Sequence, residues 1–246
     1  MTQPISMPWS APVFGRPPHK WQGVRIAAFP FAPHPGSVER ILPPGMEPAA
    51  GPGVVTLISY PASATFESYN ELVVLVPVQV DGTQGNYVPY IFVTTDEALI
   101  AGREIAGFPK KIAQITWERE GARFRGSVTR RARTILTVEG TVQGPMPSEG
   151  VPGRGSAGNP TINYKLIPDP AGGIEVEEIT KTQLDVVPRE QEVGQARLRL
   201  QPSEFDPVSD LVPDTDGPMI VMTCDVTIPA GEVLKQIIRV QKEPVA

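Results

Sequence analysis

The chain holds a single cysteine, Cys224 in MIVMTCDVTI. An internal disulfide is therefore excluded, and no cysteine-based zinc spacing exists. Its apolar neighbours point to a buried, inert thiol rather than a nucleophile. Histidine is almost as scarce, with only His19 and His34, each beside proline. A multi-histidine metal site is excluded on that count, and a Ser-His-Asp hydrolase would have to use one of the two. There is no Gly-x-Ser-x-Gly elbow, P-loop or Gly-x-Gly-x-x-Gly fingerprint. Excess positive charge is missing as well. The net charge is -5, and the densest basic run, Arg130, Arg131 and Arg133 with Arg125 nearby, reads as an exposed strand face. A nucleic-acid partner needs a clustered Lys/Arg surface and is not expected. No stretch approaches the ~20 apolar residues of a membrane helix. The first residues, MTQPISMPWSAP, lack the charged start and apolar stretch of a signal peptide. The expectation is a soluble, cytoplasmic protein with no membrane partner.

What is abundant is the pair of residues that helices tolerate least. The 246 residues include 23 glycines and 29 prolines, about a fifth of the chain against roughly an eighth in average usage. A helical bundle is disfavoured, and collagen is excluded because no Gly-X-Y period exists. The 40% hydrophobic content is enough for a packed core. Residues 1–20 are Pro-rich and read as an extended arm. From residue 21 onward short apolar strands alternate with turns: 24–31, 54–60, 71–80, 87–94, 110–118, 122–131 and 134–142. Four more follow in INYKLIP, IEVEEITKTQLDVV, QARLRLQP and MIVMTCDVTIP. The strand 71–80, ELVVLVPVQV, is apolar enough to lie between two buried surfaces. Short helices are expected at 36–42, at 96–102 with Thr95 as cap, and at 230–240. Residues 143–160 form the longest structureless stretch. About ten closely spaced strands predict a mainly β fold, a single-domain antiparallel β-barrel or sandwich over 21–246.

With histidine and cysteine chemistry nearly absent, attention falls on Lys, Glu, Arg and Tyr. One segment stands out, Gly102-Arg-Glu-Ile-Ala-Gly-Phe-Pro-Lys-Lys-Ile112. Two lysines follow Phe-Pro and open an apolar strand. Either they form a charged strand end facing water, or one is held dry in an apolar pocket and attacks a ketone to form a Schiff base.

GREIAGFPKKIA resembles the lysine segment of the acetoacetate decarboxylase family, in which the first of two adjacent lysines forms the Schiff base. The resemblance assigns that role to Lys110. YNELVVLVPV, residues 69–78, is similar to the segment carrying the family's pocket glutamate and implicates Glu71, and the interval from glutamate to lysine agrees. NYKLIPDPAGG and MIVMTCDVTIP extend the likeness over almost the whole chain. The pocket arginine matches Arg25 in KWQGVRIAAF with one position of slack. A second pocket carboxylate has no counterpart, because VVTLISY contains no acid and Glu67 lies on a different stretch. The resemblance implies an acetoacetate decarboxylase-like barrel, a small keto acid as partner, no cofactor, no metal and, together with the Pro-rich arm, a homo-oligomer.

An ordinary lysine, with a pKa of about 10.4, is a free amine in roughly one molecule in 2500 at pH 7. Family members are themselves the general example of lysine activation by desolvation or by a neighbouring cation. On an extended strand, residues 110 and 111 point to opposite faces. Repulsion across roughly 8 Å at an effective dielectric of about 20 supplies about 2 kcal/mol, whereas burial can move a lysine pKa by up to about 5. Burial is therefore expected to dominate and Lys111 to be dispensable. Parity also places Ile112, Gln114 and Thr116 on the Lys110 face. Gln114 is a candidate substrate contact or a backbone partner, and Phe108 a pocket wall or core residue. Arg25 would hold a carboxylate or pair with Glu71. Arg103 and Glu104 read as a structural ion pair. Three functions follow: decarboxylation of a 3-keto acid, aldol addition and dehydration of a 2-oxo acid such as pyruvate, and non-catalytic binding of a small acid.

Overall fold

A computed structural model describes residues 3–147 and 158–238. The chain runs β1 (His19–Phe31), α1 (Ser37–Ile41), β2 (Glu47–Pro48), β3 (Gly53–Tyr60), β4 (Tyr69–Val80), β5 (Thr83–Val93), α2 (Asp96–Ala106), β6 (Lys110–Ile112), β7 (Gln114–Glu120), β8 (Arg123–Arg130) and β9 (Arg133–Pro145). It continues with β10 (Thr161–Pro168), β11 (Ile174–Thr182), β12 (Asp185–Leu200), a 3-10 turn at Val208–Asp210, β13 (Thr215–Ile228) and β14 (Glu232–Ile238). All the strands belong to one sheet, ordered β14-β11-β10-β5-β4-β3-β1-β13-β12-β9-β8-β7, with β2 on β4 and β6 on β5. Most pairings are antiparallel; β5 pairs in parallel with β6 and with β10.

The mainly β fold is as expected, but the closed barrel is corrected to an open, curled sheet. The ladder runs from β14 to β7 and does not return to itself. The strand breaks at Ala113, between β6 and β7, where the Ala113 N–H still donates to Val93 O at 2.9 Å. β7 is tied to β4 by a side chain instead of a ladder, the Asn70 amide donating to Ile115 O at 3.0 Å. The helix expected at 230–240 is also corrected. Residues 232–238 form β14 along β11, since an apolar run this short does not distinguish strand from helix. Most of the expected 143–160 loop, residues 148–157, lies outside the described residues, as do residues 1 and 2 of the arm and 239–246.

The sheet carries a core on each face. Leu57, Leu72, Val74, Val76 and Phe92 pack into one apolar cluster. Their chain neighbours Ile58, Val73, Ile91 and Val93 pack into a second, with Trp21, Tyr69 and the helix residues Ala98 and Ala101. Residues of β4 thus alternate between two buried faces, which is why that strand reads as continuously apolar. β4 and β5 join at Asp81–Gly82, whose positive φ values of 47° and 81° suit a two-residue hairpin turn.

α2 roofs the second cluster. Asp96 and Glu97 occupy its first turn, where acids favour the positive end of the helix dipole. The helix runs past Gly102 and stops at Gly107, whose φ of 72° is left-handed and readily adopted by glycine. A Cβ on Gly107 would stand 2.5 Å from Cβ of Lys165. With Thr180 Oγ1 donating to Ala106 O at 2.7 Å, β10 and β11 anchor the end of the roof.

Candidate active site

The register of three strands brings the central pair together. Glu71 lies opposite Val93 across β4 and β5, while Ile91 lies opposite Lys110 across β5 and β6. Positions 91 and 93 share a face, so Glu71 and Lys110 rise on the same side of β5 and meet above it. Lys110 Nζ donates to Glu71 Oε2 at 2.7 Å. Both residues are buried, at 8% and 5% exposure. Nζ also lies 5.9 Å from the ring centroid of Tyr69 and 5.8 Å from that of Phe108.

The roof is shaped for this lysine. A Cβ on Gly102 would stand 2.6 Å from Lys110 Cε and 2.7 Å from Cδ. The missing side chain of α2 is the notch in which the lysine stem lies. Beside it is a small apolar cavity of about 50 Å³, whose walls include Trp21, Phe66, Tyr69, Ile105 and Phe108 together with Lys110. At roughly 10–15 Å³ for each water-sized occupant, it suits a molecule of only a few heavy atoms. A larger, open concavity of about 580 Å³ involves Arg123, Glu139, Arg197 and Asp216. It contains neither Lys110 nor Glu71, so size alone misleads here.

Tyr60 and Tyr69 stack at 4.5 Å beneath the pair. Burial holds both phenols well above their usual pKa. The nearby Glu71 charge adds to this for each, and for Tyr69 the neighbouring Tyr60 adds more. Both stay neutral at neutral pH. Burial lowers the pKa of His19, another cavity residue, keeping its imidazole neutral. Cys224 is buried beneath the same cluster with its thiol pushed up to about 11, by burial and then by Asp225.

Lys111 goes elsewhere. Its Nζ donates to Asp206 Oδ1 at 2.7 Å and to Phe205 O at 3.1 Å. The other Asp206 oxygen accepts from Arg130 Nε at 3.0 Å. Asp206 is 1% exposed, so this is a structural clamp between β6, β8 and the 201–212 segment.

Two candidates are corrected. Gln114 does share the outward alternation with Ile112 and Thr116, but the roof covers only the Lys110 end of that face, and all three are exposed. Arg25 is exposed as well. Its guanidinium stacks 4.4 Å from the Trp117 centroid, and Nη2 donates to Ser59 Oγ at 3.0 Å. The reason is a β-bulge between Trp21 and Val24. Gly23, at φ 73°, donates its N–H to Asp225 Oδ1 at 3.0 Å. The bulge absorbs one residue, so Val24 instead of Arg25 turns inward. Ile58, opposite Glu71 in the ladder, is likewise buried in the second cluster, and Glu67 is exposed. Phe108 does line the cavity. Arg103 donates to Lys110 O at 3.4 Å. Sequence reasoning passed over His19, Trp21 and Thr182, which also line the cavity; no spacing rule links residues so far apart in the chain.

The family model for acetoacetate decarboxylase matches residues 2–238. The chain belongs to the acetoacetate decarboxylase family. A curated acetoacetate decarboxylase from Acidiphilium cryptum (strain JF-5) is 27% identical over 232 residues, covering 94% of each chain. The crystal structure of acetoacetate decarboxylase from Legionella pneumophila superposes with a TM-score of 0.84 at 26% identity, over 94% of this chain and 92% of that one. The enduracididine biosynthesis enzyme MppR complexed with pyruvate shares the fold, with a TM-score of 0.82 at 18% identity over 96% of this chain and 98% of that one. Family membership and fold thus place the chain among the acetoacetate decarboxylase-like enzymes. No described helix is long and apolar enough to cross a membrane.

Proposed function

We propose that the chain is a Schiff-base-forming lyase that decarboxylates a short-chain 3-keto acid such as acetoacetate through Lys110. The observation that carries this reading is a buried amine, held against one carboxylate at 2.7 Å, opening on an apolar cavity of about 50 Å³. A lysine that served only as a surface charge would not be given a notch at Gly102.

In this reading Glu71 takes the proton from Lys110, and the free amine attacks the 3-keto carbon. A proton moves from nitrogen to the former carbonyl oxygen, giving the carbinolamine. Glu71 then protonates that hydroxyl, which leaves as water, and the protonated imine forms beside the substrate carboxylate. The carbon–carbon bond breaks, its electron pair flows into the imine to give an enamine, and carbon dioxide departs. A proton from solvent is added at carbon, and hydrolysis releases the ketone and regenerates the amine. Dry walls favour charge-dispersing loss of carbon dioxide, because a carboxylate is poorly solvated there. The proposed assembly remains a homo-oligomer in the cytoplasm.

The second reading keeps Lys110 but uses it for aldol addition and dehydration of a 2-oxo acid. It is favoured by one observation: Ile58 lies opposite Glu71 and Arg25 is exposed, so among the described residues neither of these positions brings an arginine or a second acid to the pair. Borohydride treatment with acetoacetate or pyruvate should leave one mass increment on Lys110, absent in Lys110→Ala. Release of carbon dioxide from acetoacetate supports decarboxylation; condensation of pyruvate with an aldehyde without gas release supports the second reading. If neither acid leaves an adduct, both fail, and a non-catalytic binder of small acids takes their place.

A further inference from the structure

Three polar side chains line the cavity with ends that no described protein group satisfies. His19 Nε2, Trp21 Nε1 and Thr182 Oγ1 are all buried without a hydrogen-bond partner among the described residues. The three residues are 7%, 4% and 1% exposed. Orphaned buried donors are uncommon and costly, yet here three belong to residues that line one apolar cavity. They come from strands far apart in the sheet order, His19 and Trp21 from the central β1 and Thr182 from the end of β11 near one edge. The aromatic pair is held rigidly, with Phe66 edge-on to His19 at 5.0 Å and packed on Trp21 at 5.3 Å. Space beside the hydroxyl is left by a glycine, since a Cβ on Gly231 would stand 2.8 Å from Thr182 Oγ1. Among the described residues lining the cavity, Lys110 is the only lysine and there is no arginine.

We propose that His19, Trp21 and Thr182 form a neutral subsite that binds the carboxylate of the substrate, resting on the reading of Lys110 as the Schiff-base amine. Trp21 Nε1–H, Thr182 Oγ–H and the Nε2–H tautomer of His19 donate to the two carboxylate oxygens. Uncharged donors orient the group without the strong ground-state stabilisation that a guanidinium fork would give it. The ligand class is a small monocarboxylate with a carbonyl within reach of Lys110.

Butyrate, which cannot form an imine, probes the subsite separately from the lysine. Calorimetry should show butyrate binding to the unaltered protein and about tenfold weaker binding to Trp21→Phe and to Thr182→Val, as expected for the loss of one hydrogen bond to a charged group. Thr182→Ser, which keeps the hydroxyl, should bind as the unaltered protein does. Because Thr182 Oγ1 has no partner among the described residues, the near-isosteric Thr182→Val should not lower Tm, whereas Trp21→Phe also loses buried ring volume and should lower it. For acetoacetate, KM should rise about tenfold with little change in kcat. Equal butyrate affinity in all variants, or none in the unaltered protein, overturns the subsite whatever happens at Lys110. A lowered Tm with unchanged affinity assigns these groups to the fold and overturns it too. Weaker butyrate binding in the variants without any borohydride adduct keeps the subsite and removes the Schiff-base reading.

Discussion

Lys110 and Lys111 are adjacent in sequence and have opposite surroundings. Lys110 is enclosed by a helix notch and aromatic walls and faces a single acid at 2.7 Å. Lys111 is half-exposed and shares the buried Asp206 with Arg130. Strand alternation alone separates them. The lesson is that a paired-lysine motif need not be a pair functionally. One member faces a cavity, and the other fastens the strand that carries it. The Lys111 charge is turned away and matched by an acid.

The sharpest way to break this contrast is to exchange the two residues' fates by substitution. Lys110→Ala should abolish the borohydride adduct and turnover of acetoacetate, read by mass spectrometry and carbon dioxide release. Gly102→Ala comes next. The added methyl should displace the lysine stem, and a misplacement near 1 Å can cost about a hundredfold in rate. Alanine is also the better helix former by about 1 kcal/mol, so Tm should hold or rise while activity falls.

Stability sharpens the comparison from the other side. Glu71→Leu leaves Lys110 buried without its acid and should cost about 3–5 kcal/mol, largely recovered in the Lys110→Met/Glu71→Leu double variant. Asp206→Asn weakens charge-assisted hydrogen bonds from two cations and should cost about 2 kcal/mol. Denaturant titration reads both, and only Glu71→Leu should also stop turnover. Lys111→Met should cost about 1 kcal/mol, less than the Asp206 change because Arg130 still pairs with Asp206, and leave activity near normal; complete loss of activity would show that the Lys111 charge is needed for catalysis.

The smallest effect concerns acid. His19 is buried and its pKa is held below 6.5, so the unfolded chain takes up the proton first as pH drops. Its contribution to stability is complete above about 6.5 and is lost as pH falls toward the folded-state value. Part of the fall in Tm between pH 7 and pH 5 should disappear in His19→Phe.

Much of this was legible beforehand. Glycine and proline content with period-two strands indicated a mainly β fold, and ELVVLVPVQV read correctly as a strand buried on both faces. The GFPKK segment led to the lysine that is enclosed. What failed did so for local reasons. Arg25 was matched to the family's pocket arginine with one position of slack, and the bulge at Gly23 turns Val24 inward in its place. Gln114 was placed by parity, which holds, but parity does not reveal where a helix stops covering a face. The orphaned ends of His19, Trp21 and Thr182 depend on contacts across the sheet that no linear pattern encodes. Barrel closure was inferred from strand number, whereas it depends on whether the first and last strands pair.

The bulge in β1 has a consequence for the chamber's electrical character. Since Gly23 takes up the surplus residue, a backbone torsion and not a choice of side chain decides which residue of β1 enters the second cluster. Ironing the kink flat would swing the guanidinium of Arg25 inside and expel the isopropyl group of Val24. A single φ angle thus selects between a fixed counter-charge for an incoming anion and a dry hydrocarbon wall.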